Sequence, residues 1–204
     1  MSKIVIVDYG LGNIGSIINM IKKIGYEAVL SKDPGKISTA DKLLLPGVGA
    51  FDRGMESLNQ SELIPVLNDR VMTHKIPILG ICLGMQLLTK KSDEGSLPGL
   101  GWINAEVKRF QFAKQKKIPH MGWNTVSAKI NHSLFTGLGD APRFYFVHSF
   151  YVECKDYNPV MGTTHYGHDF ASVIHAHNVY GVQFHPEKSH RFGMQLLKNF
   201  IELL

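Results

Sequence analysis

The sequence predicts an α/β fold, a mainly parallel sheet flanked by helices with an antiparallel β elaboration in the second half. Three observations carry that expectation. Short apolar runs alternate with helix-compatible segments through roughly the first 90 residues, the pattern of strands buried on both faces and joined by crossover helices. One such run, Ile76-Pro77-Ile78-Leu79, leads straight into Gly80-Ile81-Cys82-Leu83-Gly84, which reads as a strand turning sharply into a helix. From about residue 103 to 175 the helical periodicity gives way to short strand-like runs.

Taken in order, the apolar run Lys3-Ile4-Val5-Ile6-Val7-Asp8 predicts a strand over 3–8, followed by a helix over 13–24 and a strand over 26–30. A further strand is expected over 42–46, then helical segments between 51 and 72. The strand 76–81 feeds the glycine-flanked turn, and Met85-Gln86-Leu87-Leu88-Thr89-Lys90 continues it as a helix. The antiparallel part includes runs at 106–110, 143–147 and 171–174, and a last helix covers 189–203.

With 204 residues, 44% of them hydrophobic, no low-complexity linker and no internal repeat, one domain over 1–204 is expected. The opening apolar run is too short for a signal segment or a membrane span. Two cysteines far apart suggest no disulfide framework, so a cytoplasmic protein is the default. Cys154, on the alternating run Tyr151-Val152-Glu153-Cys154, reads as a structural reduced thiol. A net charge of +5 raises the question of nucleic acid. The densest basic patch, Lys114-Gln115-Lys116-Lys117, reads instead as a solvated hairpin tip, because no set of stacking aromatics accompanies it. A basic face also suits an acidic protein partner or anionic substrates.

The chemistry concentrates at two places. Cys82 between Gly80 and Gly84 is the thiol version of a nucleophile elbow, and the helix that Met85 through Lys90 continue would put it at a positive N-terminus that favours its thiolate. A cysteine by itself is more often a buried structural residue. Far downstream, Gly181-Val182-Gln183-Phe184-His185-Pro186-Glu187 ends a strand-like run with an imidazole and a carboxylate two positions apart. Pro186 restricts His185 to extended geometry and blocks helix continuation, so Glu187 stays near the ring. Thiol, imidazole and carboxylate form a nucleophile-base-orienter set, although alone the second motif also reads as a capped strand end with a surface ion pair.

A competing motif, Gly10-Leu11-Gly12-Asn13-Ile14-Gly15, matches G-x-G-x-x-G after the first strand. The dinucleotide fingerprint also needs an acidic residue ending the second strand, where this chain has Ser31-Lys32, with Asp33 late and beside Pro34. Dinucleotide binding therefore ranks low, and no cofactor or metal is expected.

The elbow and the His-Pro-Glu ending together resemble the class I (triad) glutamine amidotransferases, over nearly the whole chain. The resemblance is most specific to the glutaminase subunits of imidazole glycerol phosphate synthase. It rests on Asp8-Tyr9-Gly10, Pro46-Gly47-Val48-Gly49, the elbow with Met85-Gln86, Pro119-His120-Met121-Gly122-Trp123-Asn124, Phe146-Val147-His148-Ser149, and Gly181 through Ser189. It implies a flavodoxin-like fold and hydrolysis of L-glutamine, with Cys82 attacking, His185 moving protons and Glu187 orienting His185. The backbone N–H of Leu83 would be one oxyanion donor, and the turn carrying Val48 and Gly49 would supply another. Gly47, Gln86 and Glu94 would bind glutamine, Glu94 facing its ammonium, while Ser149 and Phe150 cradle the amino-acid end.

The same resemblance implies a separate (β/α)8 synthase subunit that receives ammonia through a tunnel, met at Asn13, His120, Trp123, Asn124 and Lys188. No segment beyond the last helix is available as an ammonia-consuming domain, in keeping with a separate partner. Two departures matter for the acceptor. Gly12-Asn13-Ile14-Gly15-Ser16 stands where the histidine-pathway subunit usually reads Gly-Asn-Leu-Arg-Ser, and Ser189-His190-Arg191-Phe192-Gly193 is also unlike its commonest ending. A paralogous subunit feeding a surface-sugar amidotransferase is the alternative. A catalytically silent regulatory scaffold and a general cysteine hydrolase are readings from other classes.

Overall fold

The structure is a computed structural model that describes residues 2–112, 116–155 and 159–204, so Lys114 and Gln115 of the basic patch lie outside the described residues. The first half builds β1 (Ile4–Val7), α1 (Ile14–Lys23), β2 (Ala28–Ser31), α2 (Pro34–Ser38), β3 (Lys42–Gly47), α3 (Phe51–Gln60), α4 (Ile64–Asn68), β4 (Ile78–Cys82) and α5 (Leu83–Leu87). The second half adds β5 (Ala105–Arg109), β6 (His120–Thr125), β7 (Ser127–Ala128), β8 (Arg143–His148), β9 (Phe150–Cys154), β10 (Val160–Tyr166), β11 (His168–Ala176), β12 (Val179–Val182) and α6 (His190–Leu203).

The main sheet runs β2-β1-β3-β4-β12-β11-β10-β7. Its first five strands are parallel, and β11, β10 and β7 continue antiparallel. β9 joins through β11 and carries β5, while β6 and β8 form a separate antiparallel ribbon. Strands β1, β3, β4 and β12 are buried along their whole length, which explains their continuous apolar sequences. Alternation still sorts their side chains. Val5 and Val7 enter one core with Phe51, Met55 and Leu58 of α3; Ile4 and Ile6 enter the other with Ile17 and Ile21 of α1 and Leu197 and Phe200 of α6.

Several boundaries differ from the sequence expectation. The short α2 fills a stretch with no expected element: Pro34 takes its first position and the Asp33 carboxylate accepts from the Gly35 N–H at 2.8 Å. The helical segment over 51–72 is α3, then α4 and a π-type turn at Asp69–Thr73. The helix after the elbow stops at Leu87 rather than Lys90, because the chain turns back to bond Lys90 N–H to the Ala105 carbonyl. β11 is longer than expected, since both of its edges are paired.

The elbow sets the tightest contact. A methyl group at Gly84 would lie 1.7 Å from the Leu45 carbonyl oxygen on neighbouring β3. Gly84→Ala should therefore lower the unfolding free energy by at least about 3 kcal/mol, measured by urea denaturation. A loss under about 1 kcal/mol would contradict this packing.

Candidate active site

Cys82 ends β4 and precedes the first residue of α5 with φ 54 and ψ −110, a backbone conformation that non-glycine residues rarely adopt. Strain of this kind costs about 1–3 kcal/mol and persists only where the surroundings enforce it. Enforcement here comes from β3, whose Gly47 pairs in register with Cys82, and from the Gly84 contact. The result places the sulfur beyond the carboxyl ends of the parallel strands, 7% exposed. With α5 only five residues long, the local contribution to a thiolate comes from first-turn N–H groups such as that of Leu83 rather than from a long helix dipole.

His185 comes from three residues past the end of β12. Its N–H donates to the Tyr145 carbonyl at 2.9 Å, its carbonyl accepts from Ser189 Oγ at 2.5 Å, and the Tyr145 N–H donates to the same Oγ at 3.0 Å. Strand β8 therefore sews the histidine in place. His185 is extended, φ −101 and ψ 98, as Pro186 dictates. Pro186 does not forbid helical structure, however; it opens a 3-10 turn over Pro186–Lys188 that swings Glu187 under the ring.

Nδ1 of His185 lies 2.8 Å from Glu187 Oε1, and the two side chains are 2% and 1% exposed. The remaining ring nitrogen, Nε2, is buried without a hydrogen bond among the described residues. Burial alone would drive the imidazole down, but Cys82 and Glu187 outweigh it and hold His185 at about 10. An imidazolium thus faces Cys82, with its other nitrogen braced by a carboxylate.

Cys82 and His185 open onto one cavity of about 360 Å³. Val48, Gly49, Leu83, Gln86, Glu94, Ser149 and Phe150 line it too, so the structure gathers nearly every residue expected there. Two stand behind the wall. Glu187 backs His185, and Gly47 packs so that a methyl would lie 2.4 Å from the Tyr9 hydroxyl. That hydroxyl donates to the Pro46 carbonyl at 2.7 Å, anchoring the turn. Glu94 is aimed by the first N–H of α3, Phe51 N–H donating to Oε2 at 2.9 Å. Pro119, Val147 and His148 also line the cavity and were not singled out by sequence, although all lie inside the quoted motif blocks.

His148 belongs to a buried chain. Its Nδ1–H donates to the Phe150 carbonyl at 2.7 Å, which leaves Nε2 to accept from His120 Nδ1–H at 2.9 Å; His120 Nε2 accepts from the Asn124 amide at 3.2 Å. Both imidazoles are therefore neutral. Burial, ahead of the opposing Phe150 hydrogen bond, pushes His148 down to about 3, and burial with nearby Lys116 pushes His120 to about 4.

Of the expected partner-facing residues, Trp123 is 40% exposed, stacks on His190 and meets Tyr145 edge-on, and Lys188 Nζ sits 5.8 Å from the Tyr145 ring centroid. His120 is buried between Phe146 and Tyr166, so it supports this face from within. Asn124 is half-buried, its amide also donating to the His165 carbonyl. Asn13 caps α1 without a side-chain bond to it. In the glycine-rich loop a methyl at Gly12 would meet Pro46 at 3.2 Å, so that glycine serves chain packing, and Asp33 is committed to capping α2. Among the described residues, no helix is long and apolar enough to cross a membrane, and no group of three or more His, Cys, Asp or Glu side chains is placed to hold a metal.

The family model for glutamine amidotransferase class-I matches residues 5–203. The chain is 55% identical over 199 residues to "Imidazole glycerol phosphate synthase subunit HisH 2" of Methanococcus maripaludis, covering 98% of each. It is 49% identical over 201 residues to the protein of the same name from Pseudomonas aeruginosa, covering 98% of this chain and 100% of that one. Among solved structures, PurLQS from Thermotoga maritima superposes with a TM-score of 0.71 at 19% identity over 98% of both chains, a likeness of fold.

The histidine pair predicts an acid sensitivity. Both folded values lie below the ordinary 6.5, so at these two positions the folded protein binds fewer protons than the unfolded chain. The pair's stabilisation is complete above about pH 6.5 and is lost as pH falls toward 4 and 3. Thermal unfolding should drop by several degrees from pH 7 to pH 5, on the order of 2 kcal/mol per imidazole, and His148→Gln should flatten that slope. An equal slope in both proteins would contradict a neutral buried pair.

Proposed function

The chain belongs to the class-I glutamine amidotransferases, and we propose that it hydrolyses L-glutamine through Cys82, His185 and Glu187 and delivers the ammonia to a separate (β/α)8 synthase subunit. The acceptor that its relatives' names favour is the cyclase of imidazole glycerol phosphate synthase, in histidine biosynthesis. One observation carries the catalytic part: a thiol on a strained elbow shares its cavity with a histidine whose far nitrogen is held by a buried carboxylate.

An amide is a poor electrophile, so the thiolate must be formed before substrate arrives. The His185 imidazolium supports it there. Cys82 Sγ attacks the side-chain carbonyl of glutamine, forming a C–S bond and an oxyanion that the Leu83 N–H and the Val48–Gly49 turn receive. His185 Nε2–H then protonates the departing nitrogen, the C–N bond breaks and ammonia leaves a thioester. Neutral His185 next takes a proton from water, whose oxygen attacks the thioester; glutamate departs and the thiolate returns. Glu187 holds the ring in the orientation both steps need. Glu94 faces the substrate ammonium, and Gly47, Gln86, Ser149 and Phe150 complete the glutamine site.

The partner meets the face that carries Asn13, Trp123 and Lys188, with His120 and Asn124 behind it. Met121, 62% exposed and two positions before Trp123 on β6, adds apolar area beside it. A working thiolate also suits the reducing cytoplasm, and no disulfide joins Cys82 to Cys154.

A second acceptor has its own support. The names of both relatives carry the numeral 2, and Gly15 stands where the histidine-pathway motif usually has arginine. A paralogue serving surface-sugar amidation fits those facts. The intact set of three side chains speaks against a silent scaffold.

Cys82→Ser should reduce glutamine hydrolysis at least about a thousandfold while leaving fold and partner binding intact, read by glutamate release and circular dichroism. Hydrolysis retained in that variant would end the mechanism. Growth of a histidine auxotroph lacking its own subunit separates the acceptors: rescue supports the histidine pathway, and failure by a well-expressed, glutaminase-active chain supports the paralogue.

A further inference from the structure

The Phe150 carbonyl accepts from two sides, from His148 Nδ1–H at 2.7 Å and from Gln86 Nε2 at 3.3 Å. A carbonyl oxygen can only accept, so the amide of Gln86 points its nitrogen at it, and the same nitrogen donates to Gln183 Oε1 at 3.1 Å. That fixes Gln183 as well: with its oxygen turned to Gln86, its Nε2 faces Cys82 Sγ at 3.9 Å. Gln183 is fully buried and Gln86 4% exposed, so water does not compete for these groups.

We propose that Gln183 is a positioning residue for the nucleophile, its carboxamide donating to the Cys82 sulfur and so favouring the thiolate, with Gln86 and the Phe150 carbonyl holding that amide in its donating orientation. The inference rests on the reading of Cys82 as the nucleophile. A neutral donor stabilises the thiolate whether or not His185 carries its proton, so it supports the charged sulfur before the C–S bond forms and again when that bond breaks to release glutamate. It also ties substrate to nucleophile: Gln86 is expected to touch glutamine, and any movement of its amide is felt at Gln183. The ionisable groups around the sulfur are His185 from the turn after β12, with Glu187 behind it, Tyr9 beyond β1, and Glu94 and His148 on the cavity wall.

The test reads the thiol rather than turnover. Iodoacetamide alkylation of Cys82 is followed against pH on the full chain without glutamine, the Cys82 peptide being resolved from that of Cys154 by mass spectrometry. Gln183→Met, which keeps the volume and removes the donor, should raise the titration midpoint by about one pH unit or more. Gln86→Met should raise it by a smaller amount, because the Gln183 amide loses its anchor but not its donor. A purely structural role would alter thermal stability and leave the midpoint in place. An unchanged midpoint in Gln183→Met overturns the proposal; if that variant does not fold, an unchanged midpoint in Gln86→Met does so. Hydrolysis surviving in Cys82→Ser defeats the nucleophile assignment instead, so the two failures are distinguishable.

Discussion

Contact between Gly84 and the Leu45 carbonyl is the constraint from which the rest of the site follows. Strands β3 and β4 lie side by side in parallel register, and only a residue without a side chain lets the helix after β4 start so close to its neighbour. Because the turn closes there, the residue before the helix is forced to positive φ, and that residue is Cys82. Its thiol then lines the cavity beyond the ends of the parallel strands, at the margin of the core. The parallel half of the sheet, buried on both faces, supplies the rigidity that enforces a strained residue of this kind.

The antiparallel half has a different task. Strand β8 holds His185 through backbone bonds and places His148 against the Phe150 carbonyl, while β12 carries the chain to the His-Pro-Glu turn alongside β4. A thiol and an imidazole more than a hundred positions apart thus meet because β4 and β12 are neighbours in one sheet. Glu187 needs no such assembly. It is two residues from its histidine, and the 3-10 turn alone brings it under the ring.

Much of this was legible from the sequence, for identifiable reasons. The elbow announces itself because Gly80 and Gly84 flank a thiol after an apolar run, and His185-Pro186-Glu187 is local. The parallel strands are legible as unbroken apolar runs. Helix α2 escaped notice because it is shorter than the window in which helical periodicity can be recognised, although Asp33-Pro34 marks its start. Gln183 and His148 escaped for a different reason. A glutamine in a strand-like run and a histidine in an aromatic one carry no spacing signal, and their roles emerge only once β12, α5 and β9 are folded against one another.

The ribbon of β6 and β8 carries an indole that is open to solvent and stacked on an imidazole, Trp123 on His190 with 5.4 Å between ring centroids. The chain's other tryptophan, Trp102, is 9% exposed and donates its ring N–H to Asn68 at 2.7 Å on the opposite core. The two therefore differ in polarity of surroundings and in access to quenchers. Intrinsic fluorescence is in effect split into a constant background and a reporter, and anything that settles on the ribbon beside Trp123 will register in the emission of the second.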